Sequence, residues 1–455
     1  MSKTGGAFLQ GEFPTQRPFN SFEKQCLAAI QPYLEVEVRP RADRLEDGED
    51  GLLESLLREV GRLGLMGVAI PEEFGGIALS RTLIARFCEE TARACPSFAI
   101  PFNVHSGVAT LPLLWFGTDA QKAHWLPKLA TGEALAAFAL SEPNAGSDAL
   151  GLSCRATRTP EGGWRLNGQK VWITNAGIAD LFTVFAKVDG EHLTAFLVER
   201  GTPGLSVGRD EKKLGLKGSR TASLFFDDAE LPRDAVLGEI GKGYRAALFP
   251  LNVGRLNIGA AALGMAKEAL SLARAHASAR KQFGQPLDKF EIIGDKLARM
   301  AEKIARAESV IYRTAALLDS YTSPVLHGGG GAAAGEEFAI ECAIAKIYCT
   351  EMLDFVVDEA LQIHGGYGFS EEYAIARLYR DSRIFRIFEG TNEINRLTIA
   401  VQLHKRLVAG RIAPLDKARV GRLTTALAAL EANPESQLKA VALADITIDL
   451  YSEIV

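Results

Sequence analysis

Residues 162–177 have the sequence GGWRLNGQKVWITNAG, and this stretch decides the fold class because its apolar and polar side chains alternate. Alternation with a period of two is typical of a β-strand that buries one face, and the Asn167-Gly168 pair within the stretch predicts a hairpin turn. Further strand-like stretches follow at short intervals: LFTVFAKV (181–188), LTAFLVER (193–200), LSVGRD (205–210) and ASLFFDDAEL (222–231). We therefore expect an antiparallel β domain over residues 137–241.

Helical periodicity lies on both sides of this β domain. Before it, apolar residues recur three and four apart, as in GLLESLLREVGRLGLMGV (51–68), so residues 1–136 predict an N-terminal helical domain. After it, long helical stretches over residues 242–408 predict a C-terminal four-helix bundle, in which the low-complexity HGGGGAAAGE (327–336) is expected to be a flexible loop. Residues 409–455 predict a short helical extension. The expected class is α+β.

Composition excludes several classes of protein. The chain has 455 residues, 51 basic against 56 acidic, and its formal charge of −5 does not predict a nucleic-acid-binding protein. Apolar residues make up 47%, enough for several cores, and no apolar run approaches the ~18 residues of a membrane-spanning helix. The N-terminal sequence lacks the pattern of a signal peptide, so a cytoplasmic location is expected. The six cysteines have no metal-binding spacing and are expected to be reduced core residues.

Common catalytic motifs do not explain the chain. Residues 241–246 (GKGYRA) fit a G-x-G-x-x-A pattern, but no strand–helix–strand unit surrounds them, so we interpret them as the glycine-containing start of a helix. There is no P-loop and no HExxH.

Two segments near the β domain carry candidate ligand-binding residues. In AFALSEPNAGSDALG (137–151), small residues permit close approach to a flat or phosphorylated ligand, and Ser141 and Ser147 supply hydroxyl donors. The alternative is a polar loop between domains. In KVWITN (170–175), Trp172 and Thr174 point to one face and suit a stacked aromatic ring, although a single tryptophan in this setting is more often a core residue.

A third segment, QIHGGYGFSEEYAIARLYRDSRIFRIFEGTNEINRL (362–397), carries a candidate acid. Its glycines at 365–366 offer bare amides for a diphosphate, whereas His364 is better interpreted as a packing residue. Glu389 lies between an apolar run and Gly390, and Thr391 can cap the helix that follows. An apolar setting would favour a general base. The alternative is an N-terminal acid stabilised by the helix dipole.

These segments in this order resemble the acyl-CoA dehydrogenase family. ALSEPNAGSDALG (139–151) and QIHGGYGFSEEYAIARLYRD (362–381) resemble its two signatures, RKQFGQPL (280–287) resembles a third landmark, and the resemblance covers about residues 20–408. The chain is most similar to the very-long-chain branch, as in EKKLGLKGSRTASLFFDDAELPRDAVLGEIGKGY (211–244), LNVGRL (251–256) and RIFRIFEGTNEI (383–394).

The resemblance implies an FAD cofactor between the β domain and the C-terminal bundle. Ser141 would bond the flavin edge, Trp172 would pack on the isoalloxazine, and Thr174 would hydrogen-bond near N5. The full set of implied FAD contacts is Phe138, Ala139, Leu140, Ser141, Gly146, Ser147, Trp172, Ile173, Thr174, Thr391, Asn392 and Glu393. A second set would reach the FAD of a neighbouring subunit: Arg280, Gln282, Phe283, Gln362, Ile363, His364, Gly365 and Gly366.

The resemblance also implies a reaction, the α,β-dehydrogenation of a long-chain fatty acyl-CoA to its trans-2-enoyl product in fatty acid β-oxidation. Glu389 would remove the α-proton while the β-hydride passes to flavin N5. Some branches place the base at the position of Gly254, where glycine cannot serve. The implied acyl-CoA path is lined by Ser147, Asn252, Val253, Gly254, Arg255, Phe388 and Gly390, and its depth depends on residues about 95–110.

The implied partners are an electron-transfer flavoprotein as acceptor and a second copy of the chain, with a homodimer favoured by the tail. Two alternatives keep the fold: a flavin oxidase or monooxygenase, which often lacks the base, and a non-catalytic assembly or scaffold protein. Weak peripheral membrane contact is a further hypothesis, because residues 404–422 carry six basic residues against one acid. Its alternative is a solvated helical surface.

Overall fold

A computed structural model describes residues 18–322, 330–411 and 417–454. The N-terminal part is helical. Its helices are α1 (Ser21–Tyr33), α2 (Ala42–Glu46), α3 (Leu52–Arg62), α4 (Arg81–Ala94), α5 (Pro96–Val104), α6 (Leu111–Phe116) and α7 (Asp119–Thr131). A π-helical turn, His105–Ala109, follows α5 and contains Gly107 with non-helical angles (φ −112°, ψ −108°).

Local sequence explains where these helices begin and which face they bury. Asn20 and Glu23 form a capping box at the start of α1, and Thr118 and Gln121 form another at α7. Along α3, Leu53, Leu56, Leu57 and Val60 are buried, which is the stripe that the three-and-four spacing predicts.

The middle part is a mixed sheet of eight strands. They are β1 (Ala136–Ala139), β2 (Arg155–Arg158), β3 (Trp164–Thr174), β4 (Leu181–Val188), β5 (His192–Glu199), β6 (Leu205–Asp210), β7 (Thr221–Leu231) and β8 (Val236–Leu237). Their order is β6-β7-β3-β2-β4-β5-β8, with β1 beside β4. Most pairs are antiparallel as predicted, but β1 and β2 both pair with β4 in parallel.

The predicted hairpin turn at Asn167-Gly168 is wrong, because both residues lie inside β3. The turn between β2 and β3 is at 159–163, where Gly162 N donates to Thr159 O at 3.0 Å. Gly168 has φ +142° beside a bulge, and a Cβ there would lie 2.9 Å from Cys154 Cα. The glycine therefore serves close backbone approach rather than chain reversal.

The C-terminal part is again helical. It comprises α8 (Gly243–Ala279), the short strands β9 (Lys281–Gln282) and β10 (Gln285–Pro286), and α9 (Glu291–Thr322), α10 (Gly330–Glu337), α11 (Ala339–His364), α12 (Ala374–Ser382) and α13 (Asn392–Val408). Among the described helices, α8 alone is long and apolar enough to cross a membrane, by length and composition only, and 83% of its apolar window is buried inside the protein.

The expectation of a flexible loop over 327–336 is wrong for its described part, because residues 330–336 belong to α10, and 327–329 lie outside the described residues. This helix packs closely on α8. Asn252 Nδ2 on α8 donates to Gly335 O at 3.0 Å, and a Cβ at Gly335 would lie 2.9 Å from Phe249 O. Tertiary packing thus makes a helix of a glycine-rich sequence.

Two helices, α14 (Lys417–Glu431) and α15 (Gln437–Ile454), form the predicted helical extension. It is attached by Arg396 Nε, which donates to Asp445 Oδ1 at 2.6 Å, and by a 2.8 Å contact of the Tyr451 and Thr314 hydroxyls. In the basic stretch 404–422, Arg406 is buried and Arg411 pairs with Glu337. Lys405 and Arg422 of the same stretch are exposed, and membrane contact stays a prediction.

Candidate active site

A cavity of about 300 Å³ lies where the three parts of the chain meet. Its walls come from α5 and the π-helical turn, from β1, β3 and the loop between β1 and β2, from α8, and from the segment that joins α12 to α13. The residues that line it are Ile100, Asn103, Val104, Val108, Phe138, Leu140, Ser141, Gly146, Ser147, Ala149, Trp172, Ile173, Thr174, Leu248, Leu251, Gly254, Arg255, Asn257, Ile258, Phe388, Glu389, Gly390, Ile394 and Thr398. Four of these residues come from the range 95–110, namely Ile100, Asn103, Val104 and Val108.

Glu389 is the acid of this cavity. Its Oε2 is buried and has no hydrogen-bond partner among the described residues, and the apolar rings of Phe385 and Phe388 precede it. Desolvation raises the pKa of Glu389 to about 7, against the opposing effect of the positive charges of Arg255 and Lys346. A carboxyl group with that pKa can hold or take up a proton near neutral pH.

The backbone that carries Glu389 is held in an unusual conformation. Glu389 has φ +56° and Gly390 has φ +80°, so both lie in the left-handed region. Lys346 Nζ donates to Gly390 O at 2.9 Å, Asn395 Nδ2 donates to the same oxygen at 2.7 Å, and Arg255 Nε donates to Glu389 O at 3.3 Å. Thr391 caps α13, as predicted, by accepting from Ile394 N at 3.2 Å. These bonds stabilise a turn that a non-glycine residue rarely adopts.

Sequence reasoning missed Lys346 and Asn395. Lys346 is fully buried in α11, where it also donates to Asn392 Oδ1 at 2.6 Å, and burial lowers its pKa to about 7. A lone lysine inside the apolar run AIAKIY (343–348) was the available signal, because a buried lysine requires a partner. Asn395 gave no such signal.

Gly254 on α8 faces the carboxylate directly. A Cβ built at Gly254 would lie 3.1 Å from Glu389 Oε2, 3.3 Å from Glu389 Oε1 and 2.8 Å from Val108 Cγ1. The position therefore has no room for a side chain while Glu389 keeps this conformation.

Trp172 lies opposite the helices, on β3. It has φ +57° at a register shift between Lys170 and Ile173, and its side chain is 62% exposed, so it is not a core residue. Thr174 lines the same cavity, and so does Ile173 between them, so strict alternation does not hold at this end of β3.

A buried ion pair that sequence reasoning missed fixes the loop beside Trp172. Lys170 Nζ donates to Glu142 Oε1 at 2.8 Å and to Leu140 O at 3.1 Å, and both side chains of the pair are almost wholly buried. Glu142 also accepts from Ser153 N at 2.6 Å and Cys154 N at 3.0 Å. The pair ties both ends of the loop to β3.

A second, more open groove of about 510 Å³ gathers most of the remaining predicted ligand contacts. Arg280 and Gln282 meet Ile363, His364, Gly365 and Gly366 there, together with His276, Leu287 and Tyr367. The rings of His276 and His364 stack at 4.3 Å, and Arg280 lies 5.2 Å over the Tyr367 ring. This groove shares no lining residue with the Glu389 cavity.

Several predicted site residues lie elsewhere. Asn252 borders another groove and accepts from Arg255 Nη1 at 2.7 Å, while Val253 is a buried residue of α8. Asn392 is buried and bonded to Lys346 and Thr350, so its amide faces the bundle. The rest line neither of the two sites: Ala139, Gln362, Phe283, which is 95% exposed, and Thr391 and Glu393 at the start of α13.

Comparison with known proteins shows which family shares this arrangement. Three family profiles match: acyl-CoA dehydrogenase N-terminal domain (residues 21–133), middle domain (137–229) and C-terminal domain (241–404). A probable acyl-CoA dehydrogenase of Bacillus subtilis (strain 168) is 42% identical over 426 residues, covering 91% of this chain and 72% of that protein.

A human mitochondrial very long-chain specific acyl-CoA dehydrogenase is 40% identical over 405 residues, covering 86% of this chain, which spans 59% of the human protein. Among solved structures, an acyl-CoA dehydrogenase from Bacillus anthracis complexed with FAD has a TM-score of 0.94 at 41% identity, covering 99% of this chain and 84% of that one.

Proposed function

The chain belongs to the acyl-CoA dehydrogenase family of FAD-dependent oxidoreductases, and from that premise we propose that it oxidises long-chain acyl-CoA thioesters with Glu389 as the base. The observation that carries the proposal is the buried Oε2 of Glu389, which lies in a largely apolar cavity and has no partner in the part of the chain that the structure describes. Desolvation raises its pKa to about 7, so that a substantial fraction is carboxylate at neutral pH and yet basic enough to accept a proton.

The residues of the two sites fit FAD. The broad face of Trp172 is exposed, with Thr174 beside it, and a flat aromatic ring would cover that apolar surface. In the second groove a Cβ at Gly365 or Gly366 would meet nothing within 4 Å, and Arg280 brings a cation to this open backbone, as a diphosphate requires. Bound FAD supplies the oxidant that takes up two electrons from the substrate.

The protein's own residues position the reacting carbons of the substrate and limit the access of water to them. The cavity wall around the acid is formed by Val108, Leu251 and Phe388, so water is excluded from the proton that Glu389 removes. The backbone bonds of Lys346 and Asn395 keep the carboxylate aimed at one point of the cavity, which limits the motion that proton transfer would otherwise require.

The substrate and partners follow from the same premise. The long, mostly apolar wall from Ile100 to Val108 supports a fatty acyl chain, and similarity to the very-long-chain branch supports a long one and a place in β-oxidation. The separation of the two sites and the full exposure of Phe283 support a homodimer in which FAD lies between subunits. An electron-transfer flavoprotein is the acceptor implied by the family.

Anaerobic reduction of the FAD-loaded protein tests the proposal. Palmitoyl-CoA is expected to bleach the flavin absorbance of the wild type but not of Glu389→Gln. Glu372→Gln is the control and is expected to behave like the wild type, because Glu372 is an exposed carboxylate that lines neither site. If the flavin stays oxidised with thioesters of every chain length, the proposed reaction is refuted.

The two alternatives of the same fold predict different results. A scaffold protein would take up no FAD on reconstitution. An oxidase would be reoxidised by oxygen within the time of a single turnover, whereas a dehydrogenase with a dry cavity keeps its reduced flavin for longer.

A further inference from the structure

The wall that α5 and the π-helical turn present to the cavity carries one polar side chain in an apolar row. Ile100, Val104 and Val108 are spaced four apart and line the cavity, and Asn103 lines it with them. Asn103 is only 6% exposed. An amide in that row is unfavourable beside a hydrocarbon chain unless it has a hydrogen-bond partner.

Protein groups satisfy only part of the Asn103 amide. Its Oδ1 accepts from Cys88 Sγ at 3.3 Å, and burial raises the pKa of Cys88 to about 12, so the sulfur keeps the proton that it donates. The Nδ2 of Asn103 is buried and has no partner among the described residues. The thiol can serve one end of the amide, so the other polar end is left unsatisfied in a side chain that lines the cavity.

A second amide faces the same cavity from α8. Asn257 is 6% exposed and lines the cavity, and its Nδ2 lies 3.5 Å from where a Cβ would project at Gly107. Gly107 is the residue with non-helical angles in the π-helical turn, and Asn257 of α8 lies beside it. Two neutral amides therefore border the space that the acyl chain would occupy.

We infer that Asn103, assisted by Asn257, forms a subsite for a neutral oxygen atom on the acyl chain, such as a hydroxyl or oxo group. The inference rests on the proposed function and adds to it a preference for oxygenated long-chain acyl-CoA thioesters over unsubstituted ones. A neutral oxygen fits better than a carboxylate. Among the described residues that line the cavity, Arg255 is the one cation, and it already bonds Asn252 Oδ1 and Glu389 O.

The fold sets the distance between this subsite and the carboxylate of Glu389. Val108 lies beside Gly254, whose Cβ position is 3.1 Å from Glu389 Oε2. Asn103 precedes Val108 by five residues, which is about 7 Å along a helix. The oxygen that it binds is therefore several carbons beyond the β-carbon, and the reacting bond itself is unchanged.

Matched substrates measure the preference. The FAD-loaded wild type is given acyl-CoA thioesters of equal length, one saturated and the others with a single hydroxyl or oxo group moved along the chain, and kcat/KM is compared. We expect one oxygen position to raise kcat/KM about tenfold over the plain chain, because one buried hydrogen bond is gained. Asn103→Leu, of nearly equal shape, is expected to reverse the preference, and Ile100→Val to leave the ratio unchanged.

The outcomes separate this inference from the proposed function. Equal kcat/KM for plain and oxygenated chains in the wild type, or a preference that survives Asn103→Leu, overturns the subsite and leaves the dehydrogenase intact. Failure of every thioester to reduce the flavin overturns the proposed function instead. If Asn103→Leu does not fold, calorimetric binding of the same pairs to the Glu389→Gln holoprotein gives the ratio in the native cavity, where equal affinities refute the subsite.

Discussion

The pH dependence of the proposed reaction follows from the burial of Glu389. Removing water from a carboxyl group disfavours its charged form, so its pKa rises, here to about 7. A base must be deprotonated to act, so activity increases as the pH rises through that value. At pH 6 about a tenth of the molecules carry the carboxylate and at pH 8 about nine tenths, which predicts a rise of about tenfold in kcat/KM.

Lys346 provides the perturbation that tests the cause. Its positive charge lowers the pKa of Glu389, so Lys346→Met is expected to move the inflection to higher pH. Burial lowers the pKa of Lys346 to about 7, so its charge is lost over the same range and the wild-type profile is broader than one titration. Lys24→Met, an exposed lysine of α1, is the control and leaves the inflection in place.

Anaerobic stopped-flow reduction of the bound flavin gives this pH profile. It needs no added electron acceptor, whose own ionisation would change the profile. The substrate dependence of the rate between pH 5.5 and 8.5 yields kcat/KM and its inflection, which belongs to the free holoenzyme. A profile that is flat from pH 6 upward would refute the reasoning, because it would mean that Glu389 keeps an ordinary carboxyl pKa. An inflection unmoved in Lys346→Met would refute the electrostatic contribution of that lysine.

Other substitutions test the remaining parts of the site. Gly254→Ala places a methyl group 3.1 Å from Glu389 Oε2 and is expected to lower kcat/KM at least about tenfold, with FAD affinity unchanged; full activity would contradict the geometry. Lys170→Met leaves Glu142 buried without its cation and is expected to reduce the free energy of unfolding in urea by about 3 kcal/mol, whereas a loss below about 1 kcal/mol would refute the importance of the pair. Trp172→Ala removes the exposed ring of β3 and is expected to weaken FAD binding about tenfold in a fluorescence titration, and an unchanged Kd would exclude stacking there.

Patterns within a few residues predicted the elements well. The alternation in 162–177 indicated β3, the spacing in 51–68 indicated α3, and Thr391 was identified as the cap of α13. Each depends on which neighbours share a face or a hydrogen bond along the chain, and that information is local. Two candidate site residues, Trp172 in KVWITN (170–175) and Glu389 in RIFRIFEGTNEI (383–394), both line the cavity.

Sequence patterns whose structure depends on distant partners gave wrong predictions. Asn167-Gly168 is typical of a turn, but pairing with β7 keeps it in a strand, and the glycine is needed because Cys154 lies so close. The glycine-rich 330–336 becomes part of α10 because it packs on α8. In both cases tertiary contact overrides intrinsic preference.

The sequence by itself determined the order of helices and strands, the family and the acid, because motifs and periodicity are properties of neighbouring residues. Only the tertiary structure decided what surrounds that acid. The supports from Lys346 and Asn395, the close approach of Gly254 to the carboxylate and the amide of Asn103 come from segments far apart in the chain. Burial, hydrogen bonding and charge set the pKa of a group and the polarity of a pocket, and all three depend on contacts that exist only after folding.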